Sequence, residues 1–282
     1  MSSTWRSMLW RLLQALPERE LTLETAQGRL TISSHDIAIG RALFVERGYQ
    51  LADLQRGVAL LQQRALLQPG YLVDVGANIG TVAISLLRSG AFSEALVFEP
   101  EARSFGFLRK NIAQNALSAR VRAFQVGLSS QGGELAFELD ATNYGDHRIR
   151  LNAPADNAYG EQQRQVITVP VRPLDAVLAQ EGIAPQQIRL LHIDVQGHEW
   201  HVLQGAQAVL ATGTPVIMEL WPYGLRQAQT PLEALYACLR GRYTHFYNLK
   251  DQQAAAQPLS ALEALGASLS GVQHTDILLL NS

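Results

Sequence analysis

Between residues 71 and 220 the chain alternates short apolar runs with segments of helical period. Tyr71–Val75, Ala95–Phe98, Val121–Val126, Ile188–Ile193 and Val216–Leu220 read as strands apolar on both faces. Thr81–Ser89, Ala102–Asn115, Leu174–Gln180 and Trp200–Leu210 read as the helices between them. Strands and helices in alternation predict an α/β fold, Rossmann-like, whose parallel sheet carries helices on both faces. A helix at Pro231–Leu239 and two strands, Thr244–Leu249 and Asp276–Leu280, follow and bring the sheet to seven strands, most of them parallel.

The alternation fails in two places. After the third core strand, Leu135–Leu139 and Val166–Val171 flank a polar stretch from Asp140 to Gln165, which predicts an inserted hairpin with a long loop. Long loops in compact domains often cover substrates, so this one is a candidate lid. Ahead of residue 69, an amphipathic helix (Trp5, Met8, Leu9, Trp10, Leu12, Leu13, Leu16) precedes a hairpin turning at Gly28. A single helix over Arg41–Leu67 follows and ends at Pro69-Gly70. The reading is therefore an extension, residues 1–68, followed by a catalytic domain, residues 69–282.

Composition narrows the function. Hydrophobic residues make up 47% of the 282 and charged residues 17%, enough for a sizeable core. The net charge is −2, without the basic surplus that phosphate neutralisation demands, so no nucleic-acid partner is expected. A lone cysteine, Cys238, excludes an intrachain disulfide and a cysteine-rich zinc site. Arg6 and Arg11 interrupt the apolar face of the first helix, so neither a signal peptide nor a transmembrane segment is expected, and the location is expected to be cytoplasmic. The same face is compatible with packing on the domain or with a homodimer.

The densest chemical signal is Asp74-Val-Gly76-Ala77-Asn78-Ile-Gly80, between a strand and a helix. Glycine lets the backbone turn tightly and approach a ligand, and a helix start offers N–H groups to an anion. Glu99 ends the next strand, 23 residues beyond Gly76 (99 − 76), close to the ~20 expected of an acid that binds ribose hydroxyls. A dinucleotide site would carry G-x-G-x-x-G, where this chain has Asn78 in place of the second glycine. Asp74 suits the ammonium group of a methionine-like tail, directly or through water, better than a pyrophosphate. A nucleotide-dependent oxidoreductase is thereby disfavoured.

With these residues in view, the chain resembles the FkbM-type methyltransferases of the class I fold. The matching segments are Asp74–Gly80, Phe98-Glu-Pro100, Asn111 with Asn115, and Leu174-Asp175. Ile193-Asp-Val-Gln-Gly-His-Glu199 and Val216-Ile-Met-Glu219 match too, and Asn143-Tyr-Gly-Asp-His-Arg148 is similar to a loop in part of that family. The resemblance implies S-adenosylmethionine as cofactor, held by Asp74, Gly76, Ala77, Asn78, Gly80, Glu99, Pro100 and Gln125. It also implies O-methylation of a small or glycan-like acceptor. Family members often carry Lys at the position of His192 and Glu at that of Gln196, so the acceptor need not be shared. The alternatives are an RNA or protein methyltransferase on the same fold, or a non-catalytic cofactor-binding protein.

Methylating a hydroxyl needs a base within hydrogen-bond reach. Ligands of open α/β sheets sit at the carboxyl ends of the strands. Asp194 ends the fourth core strand, Glu219 is near the end of the fifth, and His147 lies in the predicted lid, so these three are the catalytic candidates. Trp221-Pro-Tyr223 could wall the substrate. His198 and His201 lack the H-E-x-x-H spacing of a zinc helix, and no metal is expected.

Overall fold

The structure, a computed structural model, describes residues 3–152 and 157–281. All five core strands form, as β3 (Tyr71–Val75), β4 (Glu94–Phe98), β5 (Val121–Phe124), β10 (Ile188–Ile193) and β11 (Val216–Leu220). Before them come the hairpin strands β1 (Glu20–Thr25) and β2 (Gly28–Ser33). The insertion carries β6 (Gly127–Leu128), β7 (Gly133–Leu139), β8 (Arg148–Ile149) and β9 (Gln165–Arg172). Last come β12 (His245–Asn248), β13 (Gln257–Pro258) and β14 (Thr275–Leu280). The main sheet runs β13-β12-β14-β11-β10-β3-β4-β5, with β14 antiparallel to both neighbours. Its seven long strands have the class I methyltransferase arrangement. The eighth, β13, pairs only Gln257 and Pro258 with β12, and no apolar run marks it in the sequence.

Side chains of β3 alternate between two cores, as a strand covered on both faces requires. Tyr71, Val73 and Val75 join Leu174, Val202 and Leu235 on one face; Leu72 joins Ile84, Leu108 and Leu43 on the other. The extension has no core of its own. Trp10, Leu30, Ile32 and Leu43 belong to the second of these clusters, whereas Trp5, Met8 and Leu12 of the first helix, α1 (Ser3–Gln14), stay exposed. No helix among the described residues is long and apolar enough to cross a membrane.

The helix predicted over Arg41–Leu67 is two helices, α2 (Ile39–Val45) and α3 (Leu51–Gln63). Arg47 and Gln50 take positive φ around Gly48, a turn that the apolar spacing on either side conceals. The helix predicted at Trp200–Leu210 is likewise divided, into Glu199–Gln204 and Gln207–Leu210. Between them, Gly205 lies so close to the insertion that a Cβ would come within 2.1 Å of the Ser129 carbonyl oxygen. A short helix at Pro222–Gln227 was not foreseen, although Pro222 stands at its first position, where proline suits a helix.

Asn111 and Asn115 lie one turn apart on α5 (Ala102–Gln114 and its C-cap), where residues i and i+4 share a face. There they serve the free edge of β2. Asn111 Oδ1 accepts from Thr31 N at 2.7 Å and its Nδ2 donates to Thr31 O at 3.1 Å. Asn115 does the same for Arg29, at 3.0 and 2.7 Å. Two amide side chains thus stand in for a neighbouring strand and pair backbone groups that burial would otherwise strand. Asn111 Nδ2 also donates to Ile79 O at 2.9 Å, tying the hairpin to the glycine-rich turn.

Candidate active site

The glycine-rich turn leaves the carboxyl end of β3 and enters the helix α4 (Thr81–Arg88). Gly76 has φ +81°, and a Cβ there would lie 1.9 Å from the Asp194 carbonyl oxygen, so no other residue fits without moving β10. Gly76 N and Ala77 N both donate to Phe98 O at 3.0 Å, which clamps the turn to the end of β4. Asn78 N then donates to Glu99 Oε2 at 3.0 Å, and Glu101 N to Glu99 Oε1 at 2.8 Å.

This turn floors a cleft of about 850 Å³, open mouth included. Of the predicted cofactor residues, Gly76, Ala77, Asn78, Glu99 and Pro100 line it. Asp74, Gly80 and Gln125 do not. Asp74 is wholly buried; its Oδ1 pairs with His192 Nδ1 at 2.9 Å and its Oδ2 accepts from Ala83 N at 3.2 Å. It therefore fixes the first turn of α4 and the His192 ring rather than facing the cleft. Gly80 packs toward Leu108 and Ile84 behind the turn, and Gln125 is exposed beyond β5.

The donor atoms of this floor fit a nucleoside. Each Glu99 oxygen takes one backbone N–H, which leaves lone pairs for two ribose hydroxyls. Burial, with Glu101 adding repulsion, pushes the Glu99 carboxyl up to about 8. Hydroxyl donors would favour its charged form. Asn78 Oδ1 is buried without a hydrogen-bond partner, and its Nδ2 donates to Tyr144 O at 2.8 Å, so the lid is held directly to the turn.

Of the catalytic candidates, Asp194 and His147 line this cleft, and Glu219 lines a smaller cavity beside it. His147 Nδ1 accepts from Asp140 N at 3.0 Å, and burial drives the imidazole down to about 4. Its remaining nitrogen thus carries the ring proton and donates. His147 is shaped to orient an oxygen, not to deprotonate one. Burial raises the Asp194 carboxyl, opposed by His192 and by Gln196. Gln196 Nε2 bridges the acids, donating to Asp194 Oδ1 at 2.5 Å and to Glu219 Oε2 at 3.2 Å. A glutamate at 196 would have made a third carboxylate there. For His192, burial pulls the imidazole down but the Asp74 carboxylate outweighs it and leaves the ring above its ordinary value.

Several site residues had no role assigned from sequence. Tyr49 and Gln50 enter both cavities from the break between α2 and α3, a turn masked by the continuous helical period around it. Their only signal was Gly48. The lid is built on a buried ion network, also unforeseen. Arg148 binds Glu138 at 2.8 Å, Asp146 at 3.3 Å and Glu161 at 2.8 Å. Arg164 binds Glu138 at 3.2 Å, Asp140 at 2.9 Å and Asp146. Residues 153–156 of the predicted lid lie outside the described residues. Trp221 walls the smaller cavity, whereas Tyr223 is buried with its hydroxyl donating to Glu161 at 2.6 Å. His198 and His201 stack at 4.4 Å, and His198 Nε2 lies 3.0 Å from Ser129 Oγ.

The model of the FkbM methyltransferase domain matches residues 74–235, more than half of the chain. This chain belongs to the FkbM methyltransferase family. It is an S-adenosylmethionine-dependent methyltransferase, as the glycine-rich turn and Glu99 led one to expect. Methyltransferase sdnD of Sordaria araneosa is 30% identical over 211 residues, covering 67% of this chain and 76% of that protein. The 2-O-methyltransferase NoeI of Sinorhizobium fredii is 27% identical over 172 residues, 58% of this chain and 68% of its own. The hexuronic acid methyltransferase AglP of Haloferax volcanii is 30% identical over 182 residues, 62% and 67% respectively.

Proposed function

We propose that this FkbM methyltransferase methylates a hydroxyl of a carbohydrate-containing or natural-product small molecule, with Asp194 as the base. The carrying observation is the junction of two cavities at Tyr49, Gln50 and Gly145, with Asp194 in the larger and Glu219 in the smaller. Relatives named as a 2-O-methyltransferase and a hexuronic acid methyltransferase support an oxygen acceptor on a sugar. In this reading Glu99, Gly76, Ala77, Asn78 and Pro100 hold the donor, and the extension, 1–68, serves the catalytic domain, 69–282, by lending Tyr49 and Gln50 to the acceptor side.

Bound S-adenosylmethionine supplies an electrophilic methyl group and leaves as S-adenosylhomocysteine. The protein's part is to position and to move one proton. Glu99 holds the ribose. His147, fixed by Asp140, donates to an acceptor oxygen without competing for its proton. Asp194, whose carboxyl burial has raised, takes the hydroxyl proton. Gln196 keeps that carboxylate aimed and shields it from Glu219.

The test is release of S-adenosylhomocysteine from a panel of hydroxyl acceptors by wild type and Asp194→Asn. Loss of a general base should lower turnover by about 10²-fold or more, while cofactor affinity changes little. If affinity collapses and turnover at saturation holds, Asp194 is a donor ligand and the base lies elsewhere.

A further inference from the structure

The smaller cavity measures about 480 Å³, open mouth included, beside the donor cleft. Its walls come from five distant parts of the chain: Tyr49 and Gln50 from the extension, Asn143 and Tyr159 from the lid, Gln196 after β10, Trp221 after β11, and His274 before β14. Amide, hydroxyl and carboxylate groups converge with aromatic faces there, the composition of a site for a polar ring. Tyr159 is 37% exposed and stands edge-on to Trp221 at 5.8 Å and to Tyr223 at 5.6 Å, so its place is fixed by aromatic packing while part of it remains available. A ring's C–H edge fits the electron-rich face of such an aromatic.

Charge then selects among polar rings. Among the described residues the walls hold two acids, Asp146 and Glu219. Burial, and then Asp194, Glu199 and Asp276, hold Glu219 well above its ordinary value. The titratable base, His274, stands 3.8 Å from Glu219 Oε1 and is kept below its ordinary value by burial and Lys250. Asp276, opposite Glu219 in the β11–β14 ladder, adds a third, half-buried acid. Asp194 lies just beyond, linked to Glu219 through Gln196. Arg148 and Arg164 are committed to Glu138, Asp140, Asp146 and Glu161. Lys250 lies outside the walls with its ammonium on His274 O at 3.0 Å. An acceptor carboxylate would lose its water here beside acids that already oppose one another's ionisation, and among the described residues the nearby arginines are held by the lid's own carboxylates, which makes its burial costly. Hydroxyl or ammonium hydrogens would find acceptors.

We propose that this cavity is the acceptor subsite and that it takes a non-anionic sugar ring, neutral or amino-bearing, and rejects uronates. The proposal rests on the reading of the adjoining cleft as the donor site. It sets this enzyme apart from a relative named for hexuronic acid despite their 30% identity.

The experiment uses the full chain loaded with S-adenosylhomocysteine, whose binding is measured first by calorimetry. Saturation-transfer NMR then reads methyl glucoside, methyl glucosaminide and methyl glucuronide in wild type and Glu219→Gln. The first two should receive saturation and the glucuronide should bind about tenfold more weakly or not at all, a gap of roughly 1.4 kcal/mol. The gap should widen at alkaline pH as Glu219 ionises, and Glu219→Gln should remove that widening. Glucuronide binding as well as the neutral glycoside, or no glycoside binding to the loaded enzyme, overturns the proposal while the donor reading stands. Failure to bind S-adenosylhomocysteine overturns the donor reading, and the subsite falls with it.

Discussion

The two halves of the site are built by different means. The donor floor is mostly backbone: the turn from Gly76 to Asn78, clamped to Phe98 O and to Glu99, all within one strand–turn–helix–strand unit. The proposed acceptor side is mostly side chains, brought from the extension, the lid and the last strands, and steadied by the Arg148–Arg164 network. A donor common to a family can be held by a fixed backbone cradle. An acceptor that differs between members requires walls that can change without disturbing that cradle.

The contrast can be broken most forcefully in the lid. Arg148 is 4% exposed and serves three carboxylates, so Arg148→Met leaves Glu138, Asp146 and Glu161 short of a cation. Removing one partner from a buried pair costs about 3–5 kcal/mol. Urea unfolding should show a loss of that order, or a separate early transition of the lid. S-adenosylhomocysteine affinity should move far less, because the floor does not depend on the network. Equal damage to both would mean that the halves are one unit.

A smaller effect sharpens the donor side. The Glu99 carboxyl keeps its proton to about pH 8 in the folded, ligand-free protein, against 4.5 in an unfolded chain. Between those values the folded state binds the extra proton, so this group's contribution to stability is lost as pH rises. Above pH 7 the opposing gain from His147 and His198, buried neutral, is largely complete, while Glu199, pushed up to about 7 by burial, and Glu219, raised well above its ordinary value, lower stability in the same direction as Glu99. Stability of the free protein should therefore fall from pH 7 to 8, with Glu99 contributing up to about 1.4 kcal/mol of the loss. Glu99→Gln should flatten that slope, as followed by urea midpoints. A slope unchanged in the variant would place the titrating group elsewhere.

Legibility in the sequence follows the same division. Strand and helix periods, the glycine turn and the acid at the end of β4 are local patterns, and each lies within a few residues of its expected place. Asp194 could be placed because strand ends in such sheets face the ligand. Asp74 was expected to face the cofactor tail, yet the His192 ring on the neighbouring strand takes up one of its oxygens, and one sequence does not reveal cross-strand partners. His147 was a candidate base until the Asp140 N–H fixed its tautomer. Tyr49, Gln50 and the arginines of the lid depend on contacts between residues far apart in sequence. No local period encodes such contacts.

The most direct test of the account is a calorimetric titration of wild type and Glu99→Ala with S-adenosylhomocysteine, with NAD in parallel. Micromolar binding of S-adenosylhomocysteine and none of NAD is predicted for the wild type. Truncating Glu99 should weaken the binding by about 1–3 kcal/mol, the cost of leaving buried polar partners unpaired. Wild-type affinity in the variant, or binding of NAD in place of the sulfur compound, would contradict the donor site described for this chain.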